Sequence, residues 1–211
     1  LISTDPYKLA KPARPRRRER WLRGHEVTRL LEECRQTPHL FIAVVLLLGT
    51  GARSNEVLEL KWKSVDFNER TIDLRKEDEF GNKRQAQVPM NDSVFHSLIE
   101  WRAFAETENV VEFQGRKIST IRTAFKNAAE RAGCTDVTPH VLRHTAAIHM
   151  AASGSPMSKI SQYLGHSSTQ TTERWYARYA PDHLLEEAKA LDFLASDGGL
   201  ATVLAPTRDE Q

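Results

Sequence analysis

The sequence predicts a mainly α-helical fold with a small three-stranded antiparallel sheet, an α+β class. Apolar residues recur at helical spacing over most of the 211 residues. Alternation of apolar and polar residues, which is typical of strands, is confined to residues 65–88, where Gly81-Asn82 supplies a turn signal. A hydrophobic content of 40% is sufficient for a single domain with its own core.

The two ends of the chain differ in charge from its middle. Residues 1–20 contain seven Lys or Arg, two acidic residues and several prolines, which predicts a basic linker or arm. Residues 192–211 carry a net charge of −3 and are expected to form a C-terminal tail. The folded domain is therefore assigned to residues 21–191. Such an arm suits a phosphate backbone, although a solvated linker has the same composition.

Several function classes are disfavoured by simple features of the sequence. The longest purely apolar run, residues 40–48, is too short to span a membrane, and the N-terminus has no apolar signal-peptide core. Cys34 and Cys134 lie far apart, without disulfide-framework or metal-ligand spacing. We therefore expect a cytoplasmic protein with two reduced thiols.

Helical and strand elements follow in order along the chain. Val27, Leu30 and Leu31 mark a first helix, Leu40–Leu48 a second, and Glu56–Leu60 a third. The expected strands contain Val65 and Phe67, Ile72 and Leu74, and Ala86 and Val88. Further helices are predicted over residues 92–105, 118–132, 140–152, 156–164, 169–177 and 181–191.

The segment from Thr50 to Trp62 is the first of four that indicate chemistry. Gly51, with Gly49 just before the segment, allows a tight turn between helices, and Arg53 stands where the new helix begins. An arginine there can offer a planar fork to a phosphate while backbone N–H groups point the same way. Glu56, one turn on, could hold the guanidinium. The alternative is an ordinary surface Arg–Glu pair.

The second segment runs from Thr138 to Thr145. Thr138 is a plausible N-cap and Pro139 suits the first helical position. His140 and Arg143 then share one face near a helix N-terminus, which favours anions. The spacing of His140 and His144 also allows a metal pair, but no third ligand accompanies it.

The third and fourth segments are Tyr163 to Ser168 and Thr171 to Tyr179. Gly165 has the character of a helix C-cap, which places His166 in the turn before the next helix. Tyr176 follows His166 by ten residues. A tyrosine in such a helix most often packs in the core, so Tyr176 alone indicates little.

Taken together, the order Arg, His-x-x-Arg, Gly-His and Tyr closely resembles the tyrosine recombinase (phage integrase) family, from about Arg20 to Leu191. The resemblance implies a site-specific DNA recombinase that cleaves and rejoins strands through a covalent 3′-phosphotyrosyl intermediate, with no metal, ATP or other cofactor. The implied catalytic residues are Arg53, Lys83, His140, Arg143, His166 and Tyr176.

The family assigns a role to each position. The two arginines clamp the phosphate oxygens, Tyr176 attacks phosphorus, His140 helps to accept the tyrosine proton, and His166 hydrogen-bonds a phosphate oxygen. A lysine protonates the departing 5′ oxygen. Lys83, beside the predicted strand turn, is the preferred lysine and Lys76 the alternative. Tyr179 and Trp175 stand near enough in sequence to compete with Tyr176 for the nucleophile position.

The resemblance also implies partners. These are double-stranded DNA at recombination sites and other recombinase protomers, assembled as a tetramer on DNA. Residues 1–20 would lead to the N-terminal helical domain that the family normally carries, and the tail beyond residue 191 is expected to dock on a neighbouring protomer or fold back. The alternatives are a type IB topoisomerase, a DNA-binding relic that no longer cuts, and a metal-dependent nuclease.

Overall fold

A computed structural model describes residues 20–74, 87–166 and 168–185. In these ranges the chain forms eight α-helices, two 3-10 helices and five short strands. The α-helices are α1 (Gly24–Cys34), α2 (Pro38–Thr50), α3 (Ser54–Leu58), α4 (Asp92–Arg102), α5 (Arg122–Arg131), α6 (Pro139–Ala152), α7 (Met157–Leu164) and α8 (Thr169–Tyr176). The strands are β1 (Val65–Asp66), β2 (Thr71–Asp73), β3 (Gln87–Pro89), β4 (Glu112–Phe113) and β5 (Arg116–Lys117), and the 3-10 helices are Trp62–Ser64 and Ala177–Tyr179.

Helix α2 lies at the centre of the fold. It is apolar on nearly all sides, as expected for a helix surrounded by protein, and it contacts α1, α3, α4 and α6. Pro38 occupies the first turn, where its missing N–H is not needed. Gly51 ends the helix in the left-handed conformation with a φ of 61°. The chain therefore turns sharply at Gly51 and enters α3.

The predicted three-stranded antiparallel sheet is confirmed, in the order β1-β2-β3. Ile72 pairs with both Val65 and Val88, and all three side chains face the core. A second hairpin, β4-β5, was not predicted. Its strands are only two residues long, too short for alternation to be visible, and its turn uses Gln114 and Gly115 at positive φ.

Most predicted helices are present with shifted ends. Helix α4 stops at Arg102 rather than at residue 105, and α5 starts at Arg122 rather than at residue 118, because β5 occupies residues 116–117. The predicted helix over residues 181–191 does not begin at Pro181. Residues 181–184 form turns, and Leu184 has a φ of 60°, which no right-handed helix accommodates. Leu185 is helical, and residues 186–191 of that prediction lie outside the described residues.

A small second cluster of buried side chains joins the C-terminal helices to α6. Helices α7 and α8 pack on each other and on α6. The buried members are Ala147, Ile148, Ala151, Ile160, Leu164 and Tyr176. Trp21 and Tyr179 cover its edge. This packing places α7, α8 and the segment around Trp21 against α6.

Within the described ranges, no helix has both the length and the apolar character that crossing a bilayer requires. Cys34 and Cys134 are both buried and unpaired. Burial raises the pKa of the Cys34 thiol to about 12, so this side chain behaves as a neutral core residue.

Candidate active site

Arg53 stands at the entrance to α3, immediately after the turn at Gly51. It is the N-cap residue of α3, and its backbone N–H donates to Glu56 Oε2 at 2.8 Å. Its Nη1 donates to Glu56 Oε1 at 2.6 Å. The carboxylate of Glu56 thus fixes both the backbone and the guanidinium, while 50% of the Arg53 side chain remains exposed.

Arg143 lies on α6 and is only 4% exposed. Its Nη1 donates to the carbonyl of Gly51 at 2.8 Å and its Nη2 to the carbonyl of Leu164 at 2.7 Å. These bonds connect the ends of α2 and α7. Burial, together with the charge of Arg53, lowers the pKa of Arg143 to about 10, so the guanidinium is still charged at neutral pH.

His166 follows the end of α7, as the sequence predicted. Gly165 is the left-handed C-cap with a φ of 66°, and the backbone N–H of His166 donates to the carbonyl of Ser161. The ring Nδ1 lies 2.8 Å from Oγ1 of Thr172, a fully buried residue of α8. Burial, then the charges of Arg143 and Arg53, lower the pKa of His166 to about 4.

His140 lies in the first turn of α6 with an exposed side chain. Partial desolvation and the charges of Arg143 and Arg53 lower its pKa. The same two arginines therefore act on both His140 and His166. Four of the six predicted site residues thus lie in one electropositive cluster, which we call the arginine-histidine cluster: Arg53, His140, Arg143 and His166.

Tyr176 ends α8 and is only 4% exposed, against α6. Its hydroxyl lies 2.8 Å from Nδ1 of His144. Burial raises the pKa of Tyr176, and the charge of Arg143 partly opposes this. Tyr179 instead packs its ring edge-on against Trp21, and Trp175 is largely exposed. Of the three aromatic candidates, Tyr176 is the one held beside the arginine-histidine cluster.

Two residues of this arrangement were not predicted as site residues. The sequence indicates His144 only as half of a metal pair with His140, and the two rings contact each other with centroids 4.7 Å apart. Thr172, which contacts His166, stands among other polar residues of α8. The spacing of His144 from His140 was a visible signal, but nothing in the sequence connects it to Tyr176.

Lys83 and its alternative Lys76 lie outside the described residues, so the choice between them stays a prediction. Among the residues that are described, no group of three or more His, Cys, Asp or Glu side chains is arranged to hold a metal ion. The arginine-histidine cluster concentrates positive charge and hydrogen-bond donors beside a buried phenol. Such a set can bind a phosphodiester and present an oxygen nucleophile to it.

Comparison with known proteins gives consistent results. The integrase of Salmonella phage P22 is 30% identical over 203 residues, covering 89% of this chain and 51% of that protein. The tyrosine recombinase XerA of Thermococcus kodakarensis is 30% identical over 211 residues, covering 93% and 72%. The solved structure of the catalytic domain of bacteriophage HP1 integrase superposes with a TM-score of 0.60 at 30% identity, covering 83% of this chain and 96% of that domain.

The chain spans about half the length of the two curated phage integrases that it matches. The catalytic domain of the HP1 enzyme, in contrast, is covered almost completely. A family model described as the phage integrase family matches residues 20–183, which include all four segments identified from the sequence. The chain belongs to the phage integrase family, the tyrosine recombinases.

Proposed function

We propose that this chain is the catalytic domain of a site-specific DNA recombinase, which cleaves and rejoins DNA through a covalent 3′-phosphotyrosyl link. The observation that carries the proposal is the position of Tyr176. A hydrogen bond of 2.8 Å to His144 of α6 holds its hydroxyl beside the arginine-histidine cluster. The charge of Arg143 acts on this phenol, and a phenol beside a cluster of cationic donors can carry out phosphoryl transfer to tyrosine.

The two arginines bind the scissile phosphate. Arg53 offers an exposed guanidinium fixed by Glu56, and Arg143 one oriented by two backbone carbonyls. Both are in place before DNA arrives, so little reorganisation is required when charge builds up on the phosphate oxygens. By analogy with donors that stabilise an oxyanion, losing either arginine costs about 10²–10³ in rate.

The histidines act as neutral hydrogen-bonding groups. His166 has a pKa of about 4 and is therefore uncharged at neutral pH. When Thr172 donates to Nδ1, the proton of the ring resides on Nε2, which can donate to a phosphate oxygen. His140, at the exposed start of α6, lies beside the same two arginines. Lys83 is the proposed proton donor to the departing 5′ oxygen.

The substrate in this proposal is double-stranded DNA at recombination sites, and the working form is a tetramer on that DNA. The phosphotyrosyl bond conserves the energy of the broken phosphodiester, so rejoining needs neither ATP nor a metal. Residues 1–20 serve as a basic arm on the DNA backbone, and residues 192–211 dock on a neighbouring protomer. The first of these roles rests on charge and the second on the apolar residues of the tail.

The test is the capture of a covalent protein–DNA complex on nicked duplexes that tile the flanks of the chain's own gene, in the presence of excess chelator. Wild type and Tyr179→Phe should give an adduct stable to detergent, and Tyr176→Phe should give none while its DNA affinity changes by a few-fold at most. An adduct that persists in Tyr176→Phe and disappears in Tyr179→Phe would contradict the proposal. Loss of cleavage on chelation would indicate a metal-dependent nuclease. Relaxation of supercoiled plasmid without two-site recombination would indicate a topoisomerase.

A further inference from the structure

His144 is the residue that contacts the hydroxyl of Tyr176. Nδ1 of its ring lies 2.8 Å from the Tyr176 oxygen, and the two rings are inclined at 54° with centroids 6.0 Å apart. The nucleophile candidate is 4% exposed, so bulk water does not serve as the partner of its hydroxyl. His140, to which the family resemblance gives the proton-accepting role, instead contacts the ring of His144.

We propose that His144 accepts the phenolic proton of Tyr176 when the tyrosine oxygen attacks the phosphate. This inference rests on the proposed function, because it needs Tyr176 to be the nucleophile. Its geometric basis is independent of that function, since the 2.8 Å contact exists without DNA. Heavy-atom separations of about 2.6–3.2 Å are those from which a general base removes a proton.

Burial, with the groups around His144, favours the neutral ring, which is able to accept a proton. His140 and Arg143 flank it on α6, Tyr176 faces it from α8, and His166 interacts with it electrostatically from the turn after α7. Burial, followed by His140 and Arg143, lowers the pKa of His144. A neutral imidazole has one nitrogen that donates and one that accepts; in the tautomer that carries its proton on Nε2, Nδ1 of His144 accepts from the tyrosine O–H.

Proton and electron pair are both accounted for in the step. The tyrosine oxygen forms a bond to phosphorus as the bond from phosphorus to the 5′ oxygen breaks. The phenolic proton moves to Nδ1 of His144, and the 5′ oxygen is protonated by a separate acid, for which Lys83 is proposed. The bound phosphodiester brings negative charge to the arginine-histidine cluster, and this charge stabilises the imidazolium while it exists. Rejoining runs the same steps in reverse.

The neighbour of His144 provides an outlet for the proton. The ring of His140 lies at a centroid distance of 4.7 Å from that of His144, and the His140 side chain is exposed. A partly buried acceptor beside an exposed imidazole can return to the neutral form between cleavage and rejoining. This arrangement distinguishes His144 from a residue that only fills space beneath Tyr176.

The contact itself can be tested without DNA. Tyrosine labelled with ¹³C at Cζ gives four signals from this chain, and Tyr176→Phe assigns the one of interest. His144→Gln should shift the Tyr176 signal and change its titration. His96→Gln, which replaces an exposed histidine on α4, should leave it in place. An unchanged Tyr176 signal in His144→Gln would show that the two side chains are not in contact and would overturn the inference.

The proton transfer is tested by the rate of adduct formation on whichever nicked duplex the wild type cleaves. His144→Gln retains polarity and size but cannot take up a proton, so the rate should fall by about 10²–10⁴ while DNA affinity changes little. His96→Gln is the matched control. A glutamine variant within about threefold of wild type would overturn the inference, because general-base catalysis contributes far more than this.

A second variant separates chemistry from folding. His144→Ala leaves a gap beside Tyr176, and added imidazole should restore adduct formation in proportion to the concentration of neutral imidazole, with no effect on wild type. A folded His144→Ala with wild-type rate would contradict the inference.

If the Tyr176 signal responds to His144 but wild type never forms an adduct, the proposed function fails while the contact stands. If Tyr176→Phe is inactive and His144→Gln fully active, the further inference alone fails.

Discussion

Arg143 donates a hydrogen bond of 2.8 Å to the backbone carbonyl of Gly51, which precedes it by 92 residues. The carbonyl is available because Gly51 ends α2 in the left-handed conformation, at a φ of 61°. A second donor of the same guanidinium reaches the carbonyl of Leu164 at the end of α7. The orientation of the buried arginine is therefore set by two helix termini, and it depends on the backbone of each.

Gly51→Ala should lower both stability and strand cleavage. An added Cβ would lie 2.6 Å from Cδ2 of Leu164, in a backbone conformation that L side chains rarely adopt. Gly133→Ala is the matched control, since its φ is 67° but nothing lies within 4 Å of its added Cβ. We expect a loss in the free energy of unfolding of about 1 kcal/mol for the control and about 2–4 kcal/mol for Gly51→Ala, measured by urea denaturation. Equal losses would mean that Leu164 gives way at no cost.

The arginine-histidine cluster should bind sulfate. An anion that binds the folded state raises the melting temperature by mass action. Arg53→Gln should reduce the sulfate-dependent rise, whereas Arg122→Gln, which removes an exposed charge on α5, should not. Thermal melts in sulfate, against chloride at equal ionic strength, measure the difference. Identical sulfate responses in all three proteins would show that Arg53 does not contribute to an anion site.

Stability should decrease between pH 7 and pH 4 partly because of His166. Its pKa is about 4 in the folded protein, whereas the ordinary value is 6.5, so the unfolded chain binds the proton more readily over this window. The free energy of unfolding therefore falls as the pH falls, by as much as about 3 kcal/mol from this group. Burial is the largest cause of the lowered pKa, followed by the charges of Arg143 and Arg53 and, when it is protonated, of His144. Urea melts of His166→Gln should show a shallower dependence on pH than wild type, and parallel curves would contradict the assignment.

Thr172→Val should impair cleavage without unfolding the protein. The substitution keeps the buried shape but removes the hydroxyl that lies 2.8 Å from Nδ1 of His166. With no partner at Nδ1 the ring can change tautomer, so we expect adduct formation to slow by about tenfold at unchanged DNA affinity. Thr171→Val, on the exposed side of α8, is the control. The ¹⁵N spectrum of His166 should report mixed tautomers only in Thr172→Val, and a single tautomer there would argue against the positioning role.

The sequence predicted those parts of the fold and site that depend on neighbours within one or two turns. The apolar α2 and the pairing of strands around Ile72 follow from periodicity. The face shared by His140 and Arg143 follows from helical spacing, and the turn at His166 from the conformational freedom of Gly165. The position of Glu56, one turn after Arg53, likewise predicted the Arg53–Glu56 ion pair. Each of these features depends mainly on residues close together in the sequence and can therefore be predicted from it.

The tertiary structure alone decided which groups meet across long separations. The contact of His144 with Tyr176 spans 32 residues, and it exists because α7 and α8 fold back on α6. The chain also turns at Leu184, where the apolar spacing predicted a helix, and both Leu184 and Leu185 are exposed. The local sequence pattern determines which side chains lie on each face of a helix or strand. Which residues those side chains contact is decided by the burial of apolar surface over the whole chain, balanced against the loss of conformational entropy.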